Sequence, residues 1–250
     1  MTILEATTVS KTFQIPNVRR DTVREHVMDF FRPRKFHAFK AVDNVSLSVE
    51  AGSSIGIMGR NGCGKSTLLK ILSGIYQPDT GRVVTRAGVT PILELGVGWN
   101  GELDAIDNIL LVGTVMGLSV RRLKAATPDI LAFAELEPFA SLKVQHYSSG
   151  MAARLAYAVA FEAVRDILVL DEVFAVGDAG FKARCEARYR ELRRAGKTVI
   201  LVSHDPGVIA DFCDRALLMD AGRVVYEGLP SAVVDRYLSL LAGKPLAGHY

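Results

Sequence analysis

The chain has 250 residues, 49% of them hydrophobic and 23% charged, with 30 Lys and Arg against 27 Asp and Glu for a formal net charge of +3. That length suits one large domain with a lobe, and the composition excludes disordered, collagen-like and disulfide-miniprotein chains. The charge is too small to indicate a polyanionic partner, and nucleic acid is not expected as one.

Mean hydropathy is +0.22. The longest uncharged stretch, 108–120, is nevertheless 13 residues, where a membrane-spanning helix needs about 20. The N-terminus has no basic segment leading into an apolar run with a cleavage site, so a cytosolic chain is expected. Cys63, Cys185 and Cys213 form no C-x-x-C and have no His at metal-ligand spacing, which predicts free thiols in a reducing compartment.

Residues 3–9 and 45–49 alternate apolar and polar and are predicted strands. Between them, residues 16–40 carry seven cations (Arg19, Arg20, Arg24, Arg32, Arg34, Lys35, Lys40) against three anions (Asp21, Glu25, Asp29). Val23, Val27, Phe30 and Phe31 recur there at helical spacing, which predicts one basic amphipathic helix. It could cap the neighbouring strands or lie on a membrane surface.

Residues 53–58 form a short β-branched run that leads into Gly59, Arg60, Asn61, Gly62, Cys63, Gly64, Lys65, Ser66 and Thr67, and 67–72 is a predicted helix. A strand, a Gly-rich turn ending in Gly-Lys-Ser and a helix are the context of a phosphate-binding loop. Backbone N–H groups close round the phosphates and the helix N-terminus adds its positive end. Lys65 is placed to reach β- and γ-phosphates, and the Ser66 hydroxyl to ligate Mg²⁺.

Residues 82–85 and 89–93 alternate again and, with the first two strands, predict an antiparallel sublobe. From 104 to about 142 the pattern is helical, punctuated by Pro128 and Pro138. An Ala-rich helix then opens at Tyr147, Ser148, Ser149, Gly150 and Met151 with Ser149 as N-cap, and runs to about Val164. Residues 104–164 therefore read as a helical lobe inserted into an α/β core.

Residues 167–170 are a buried strand that delivers Asp171 and Glu172 at its C-terminal edge, where open α/β sheets bind ligands. Asp171 is assigned to Mg²⁺ through water, and Glu172 to orienting and deprotonating an attacking water. Residues 198–202 end in Ser203, His204 and Asp205, which brings His204 to the same edge as a γ-phosphate contact. A hairpin at 219–226 and a helix at 231–241 follow. Short β-branched runs alternating with helices predict an α/β fold with a mostly parallel sheet, read as one nucleotide-binding domain over 1–241 with a tail at 242–250.

A phosphate loop, an S-S-G helix start, an apolar strand ending Asp-Glu, Gly177-Asp178 after it and a strand ending Ser-His, in this order, resemble the nucleotide-binding subunit of ABC transporters over nearly the whole chain. The strings YSSGM, DEVFAVGDAGFKARC and ILELGVGWNGELDAIDNI are similar to those of ABC ATPases that export O-antigen, capsular polysaccharide and teichoic acid. The resemblance implies the P-loop NTPase ABC-ATPase fold and ATP hydrolysis with Mg²⁺. It also implies a homodimer in which each ATP lies between the phosphate loop of one subunit and Ser148, Ser149 and Gly150 of the other, with Asp178 a further nucleotide contact.

The implied partner is a transmembrane permease, in two copies, carrying a lipid-linked polysaccharide, with this subunit peripheral at the cytoplasmic face of the plasma membrane. Where many ABC ATPases carry a loop Gln, this chain has Glu94, Leu95 and Gly96, so no metal or water contact is carried over and that loop is read as mechanical. The adenine-stacking aromatic is expected at Phe13, with Phe36 and Phe39 as alternatives. Long family members add a C-terminal carbohydrate-binding domain, which this chain is expected to lack.

Translation-factor ABC ATPases have tandem nucleotide domains and chromosome-maintenance types have long heptads, and neither pattern is present. An Asn-Lys-x-Asp segment for guanine is also absent. An ATP-gated scaffold and a transporter ATPase for another substrate stay open as alternatives.

Overall fold

The structure, a computed structural model, describes residues 1–16, 36–93, 98–171 and 178–243. Three strands, β1 (Thr2–Pro16), β2 (Phe36–Glu50) and β4 (Thr80–Thr85), make an antiparallel sheet with β1 in the middle. Six more are β3 (Ser54–Gly59), β5 (Val89–Ile92), β6 (Ile167–Asp171), β7 (Thr198–Val202), β8 (Arg215–Asp220) and β9 (Arg223–Gly228). They form a second sheet in the order β5-β6-β7-β3-β8-β9, parallel except for the β8–β9 hairpin.

The parallel strands are continuous apolar runs because both their faces are covered. In β6, Leu168 and Leu170 pack with Tyr157, Phe181 and Tyr189, while Ile167 and Val169 pack on the opposite side with Leu4, Leu68 and Leu72. The helices are α1 (Lys65–Leu72), α2 (Ala105–Val115), α3 (Val120–Ala134), α4 (Ser149–Glu162), α5 (Ala179–Arg194), α6 (Pro206–Phe212) and α7 (Pro230–Leu241). Ile109 of α2, Leu123 and Ile130 of α3 and Leu155 and Val159 of α4 share a separate apolar cluster.

Four expectations are corrected. Residues 89–92 do not join the antiparallel sublobe: β5 pairs in parallel with β6, Val89 beside Ile167 and Ile92 beside Leu170. Alternation shows a strand is half-buried but not which sheet covers it.

The predicted helix over 16–40 is strand at both ends, since β1 runs to Pro16 and β2 starts at Phe36, paired with each other. Cross-strand hydrogen bonding extends the ribbon further than the apolar pattern suggests. The charged stripe from Arg19 to Lys35 lies outside the described residues.

Pro128 lies inside α3 rather than ending it. A mid-helix proline costs about 3 kcal/mol, but burying Leu123, Ile130 and Leu131 returns roughly 1.5–3 kcal/mol each. The cap of α4 is Ser148, whose hydroxyl accepts from the Met151 N–H, and Ser149 is the first helical residue.

All three cysteines are free thiols. Burial pushes Cys185 and Cys213 up to about 12, so both stay protonated and unreactive near neutral pH.

Candidate functional site

β3 is buried along its whole length, and its C-terminal end feeds the glycine loop. Two positions there admit no side chain. Gly59 has φ 156° and a Cβ would meet the Met219 carbonyl oxygen at 2.3 Å; Gly64 has φ 106° and a Cβ would meet the Ala41 oxygen at 2.0 Å. At these two positions the loop is therefore pressed against β8 and β2 with no room for a methyl group.

Gly64 is the N-cap of α1 and offers no side-chain cap, and the first turn holds no acidic residue. The unpaired N–H groups at this end are a seat for an anion. Lys65 is 6% exposed, and its ammonium donates to the carbonyl oxygens of Gly59 at 2.8 Å and Arg60 at 3.0 Å. Cys63 points into the core, where burial raises its thiol pKa, so it offers the site only backbone.

Asp171 closes β6 beside the loop and accepts a hydrogen bond from the Ser66 hydroxyl at 2.8 Å. These two residues, far apart in sequence, are the pair assigned to the metal. A hydroxyl and a carboxylate, both hard oxygen donors, suit Mg²⁺, which takes few protein ligands beside phosphate oxygens and water. A cleft of about 530 Å³ opens over them, lined by Ala41, Asn61, Gly62, Gly64, Lys65, Ser66, Thr67, Leu93, Asp171 and one aromatic, Phe39.

Phe13 lines no part of that cleft. Its ring packs edge-on against Tyr76 at 5.8 Å, while Phe39, its neighbour across the β1–β2 ladder, is 42% exposed and faces the cleft. Phe36 is exposed on the same ribbon without lining the cleft. Of the three aromatics named for the adenine, Phe39 is thus the one at the cleft, whereas Phe13 rests against Tyr76, which follows α1.

β6, β7 and β3 are neighbours, with Asp171 level with Val202, so His204, two residues beyond β7, leaves the sheet at this edge. Glu172 and Glu94 lie outside the described residues, as do Leu95 and Gly96. The family model described as ABC transporter matches residues 42–175, which takes in the glycine loop, the helical cluster, β6 and Glu172. The chain belongs to the ABC transporter family.

Among relatives of this ABC transporter chain, the ABC transporter protein AbcA of Aeromonas salmonicida is 43% identical over 81% of this chain and 66% of its own length. The O-antigen export system ATP-binding protein RfbB of Myxococcus xanthus is 37% identical over 92% of this chain and 54% of its own. The chain thus spans between about half and two-thirds of the length of these curated relatives. The dimeric ATP-binding cassette MJ0796, in a post-hydrolysis state bound to ADP and Pi, superposes with a TM-score of 0.73 at 23% identity, over 91% of this chain and 98% of that one. At that identity the likeness is one of fold, the P-loop ABC-ATPase fold.

Other expected contacts of the ABC transporter chain stand away from the cleft. Ser148 and Ser149 are exposed and Gly150 half-buried at the start of α4, and none of the three lines the phosphate-loop cleft of the same chain. Asp178 does not line it either. Its carboxylate accepts from the Phe181 N–H at 2.9 Å and pairs with Arg154 at 2.5 Å; those two partners, the backbone N–H foremost, hold its pKa low. Asp178 is therefore a helix cap and ion-pair partner within its own subunit, a role its position in the motif did not reveal.

Sequence reasoning also missed Leu93 and Ala41, which line the cleft because β5 ends beside it and β2 passes along it. A second, mainly apolar cleft of about 750 Å³ separates the helical cluster from β5 and is lined by Trp99, Val112, Met116, Pro91, Tyr76 and Arg165 among others.

Proposed function

We propose that the chain binds ATP with Mg²⁺ and hydrolyses it as the ATPase subunit of an ABC transporter that exports a lipid-linked polysaccharide. The observation that carries the reading is the cleft itself. A buried Lys65, a glycine loop without side-chain room at Gly59 and Gly64, and the Ser66–Asp171 pair meet at the N-terminus of α1. The O-antigen exporter among the relatives supports a polysaccharide as cargo.

The α1 N–H groups and the Lys65 ammonium neutralise the phosphate oxygens and hold the γ-phosphate in place. Ser66 and Asp171 would hold Mg²⁺, which when bound supplies positive charge to the β- and γ-phosphate oxygens. Glu172 orients the attacking water and takes its proton, and His204 donates to the γ-phosphate.

Ser148, Ser149 and Gly150 of the partner subunit complete the site in a homodimer, since in their own chain both serines are exposed and none of the three lines the phosphate-loop cleft. Among the described residues no helix is long and apolar enough to cross a membrane. This fits a peripheral subunit seated on two permease copies at the cytoplasmic face.

The full chain should show Mg²⁺-dependent ATP turnover that EDTA abolishes and that membranes carrying the permease stimulate. Tight ATP binding without turnover under both conditions would overturn the enzyme reading in favour of an ATP-gated scaffold.

Phe39 supplies the stacking face for the base. Base–aromatic stacking is worth about 1–3 kcal/mol, so Phe39→Ala should weaken ATP affinity by roughly 5- to 150-fold while sparing affinity for inorganic triphosphate. Phe13→Ala should change ATP affinity less, since that ring rests on Tyr76. Fluorescence titration of both variants checks the order, and a larger loss at Phe13 would reverse it.

A further inference from the structure

Arg154 lies in α4 about one and a half turns past Ser149, and its guanidinium is shared between two carboxylates. One terminal nitrogen donates to Glu135 at 2.7 Å and the other to Asp178 at 2.5 Å. Glu135 closes α3 in the left-handed conformation, φ 57°, which costs a residue with a Cβ where glycine would be unstrained. Its second oxygen takes Arg184 of α5 at 2.6 Å.

Asp178 opens α5, and its other oxygen caps the Phe181 N–H. The Phe181 ring is fully buried beneath both guanidinium groups, 5.5 Å from that of Arg154 and 5.8 Å from that of Arg184. The end of α3, the first turns of α4 and the start of α5 are thus tied at one point. α3 and α4 pack in the helical cluster, whereas Phe181 packs with Leu168 and Leu170 of the main sheet.

Ion pairs between partly exposed side chains add little to stability, so what this arrangement supplies is geometry. A planar fork reaching two carboxylates fixes both distance and angle, which one ammonium cannot do.

We propose that Arg154 is a positioning residue. By bridging Asp178 and Glu135 it sets where the Ser148–Ser149–Gly150 helix start stands relative to the end of β6, and so whether two subunits can close on ATP. This inference rests on the composite-site reading above. Arg154 does not line the cleft, so its loss acts on closure and turnover and leaves the binding of ATP to the open subunit unchanged.

The test uses the full chain with its permease in membranes and four variants: Arg154→Lys, Asp178→Asn, their double, and Ser149→Arg as a control. Lys keeps the charge without the bridge, and Asn keeps the cap on Phe181 without the ion pair. Each single variant is expected to lower kcat about tenfold, as small misplacements at a reacting centre do, with KM, ATP affinity and Tm near wild type. The double should be no worse than the worse single, because both break one contact.

Near-normal kcat in both singles, additive losses in the double, or a lowered Tm with unchanged kcat per folded subunit would each overturn the proposal. If Ser149→Arg abolishes turnover while the Arg154 and Asp178 variants turn over at near wild-type rates, only the positioning role fails. If Ser149→Arg leaves turnover intact, the composite site fails and the positioning role with it.

Discussion

Glu172→Gln should lower ATP turnover by about 10²–10⁴-fold, the usual loss when a general base is removed, while ATP binding and ATP-driven pairing of subunits persist. The amide matches the carboxylate in size but cannot accept a proton from water. Its neighbour Asp171 is held by Ser66 at the end of β6, so the metal pair is untouched by the change. Single-turnover rates alongside nucleotide binding on the same preparation check the result. Near-normal turnover would move the base elsewhere and leave Glu172 an ordinary acidic residue after a core strand.

Lys65→Ala should have the second-largest effect. The Lys65 ammonium is buried and anchored on two loop carbonyls, so the substitution removes both a brace of the loop and the cation nearest the phosphates. Hydrogen bonds to charged groups contribute about 1.5–3 kcal/mol, and ATP affinity should fall by roughly 10- to 150-fold.

The composite site makes the variant informative in mixtures. Lys65→Ala and Ser149→Arg subunits are each expected to be nearly inactive alone. A dimer containing one of each keeps one intact site, with the phosphate loop from one subunit and the α4 start from the other. Activity recovered on mixing, measured against subunit ratio, checks the arrangement, whereas full activity of either variant alone would sink it.

Much of the site was legible because its residues sit at strand and helix ends that local patterns reveal. The 53–58 run, the glycine loop and the following helix appear in the structure as β3, a loop pressed between Ala41 and Met219, and α1. The strand before Asp171 and the one before His204 are β6 and β7, side by side as the shared-edge argument required. The same reasoning failed where partners lie far away. Alternation in 89–92 describes an edge strand of either sheet, and only pairing with Ile167 to Leu170 decides between them.

The sequence by itself determined the glycine loop with Lys65 and Ser66, the Asp171 carboxylate at a strand end and, to within one residue, where α4 starts. These follow from side-chain volume, backbone freedom and apolar period, which act over a few residues. Only the tertiary structure decided that Phe39 faces the cleft while Phe13 rests on Tyr76, that Pro128 sits inside α3, and that Asp178 is bound by Arg154. Each of these depends on which surface another element covers. In a close-packed interior that is settled by the summed burial of residues distant in the chain, a quantity no local window contains.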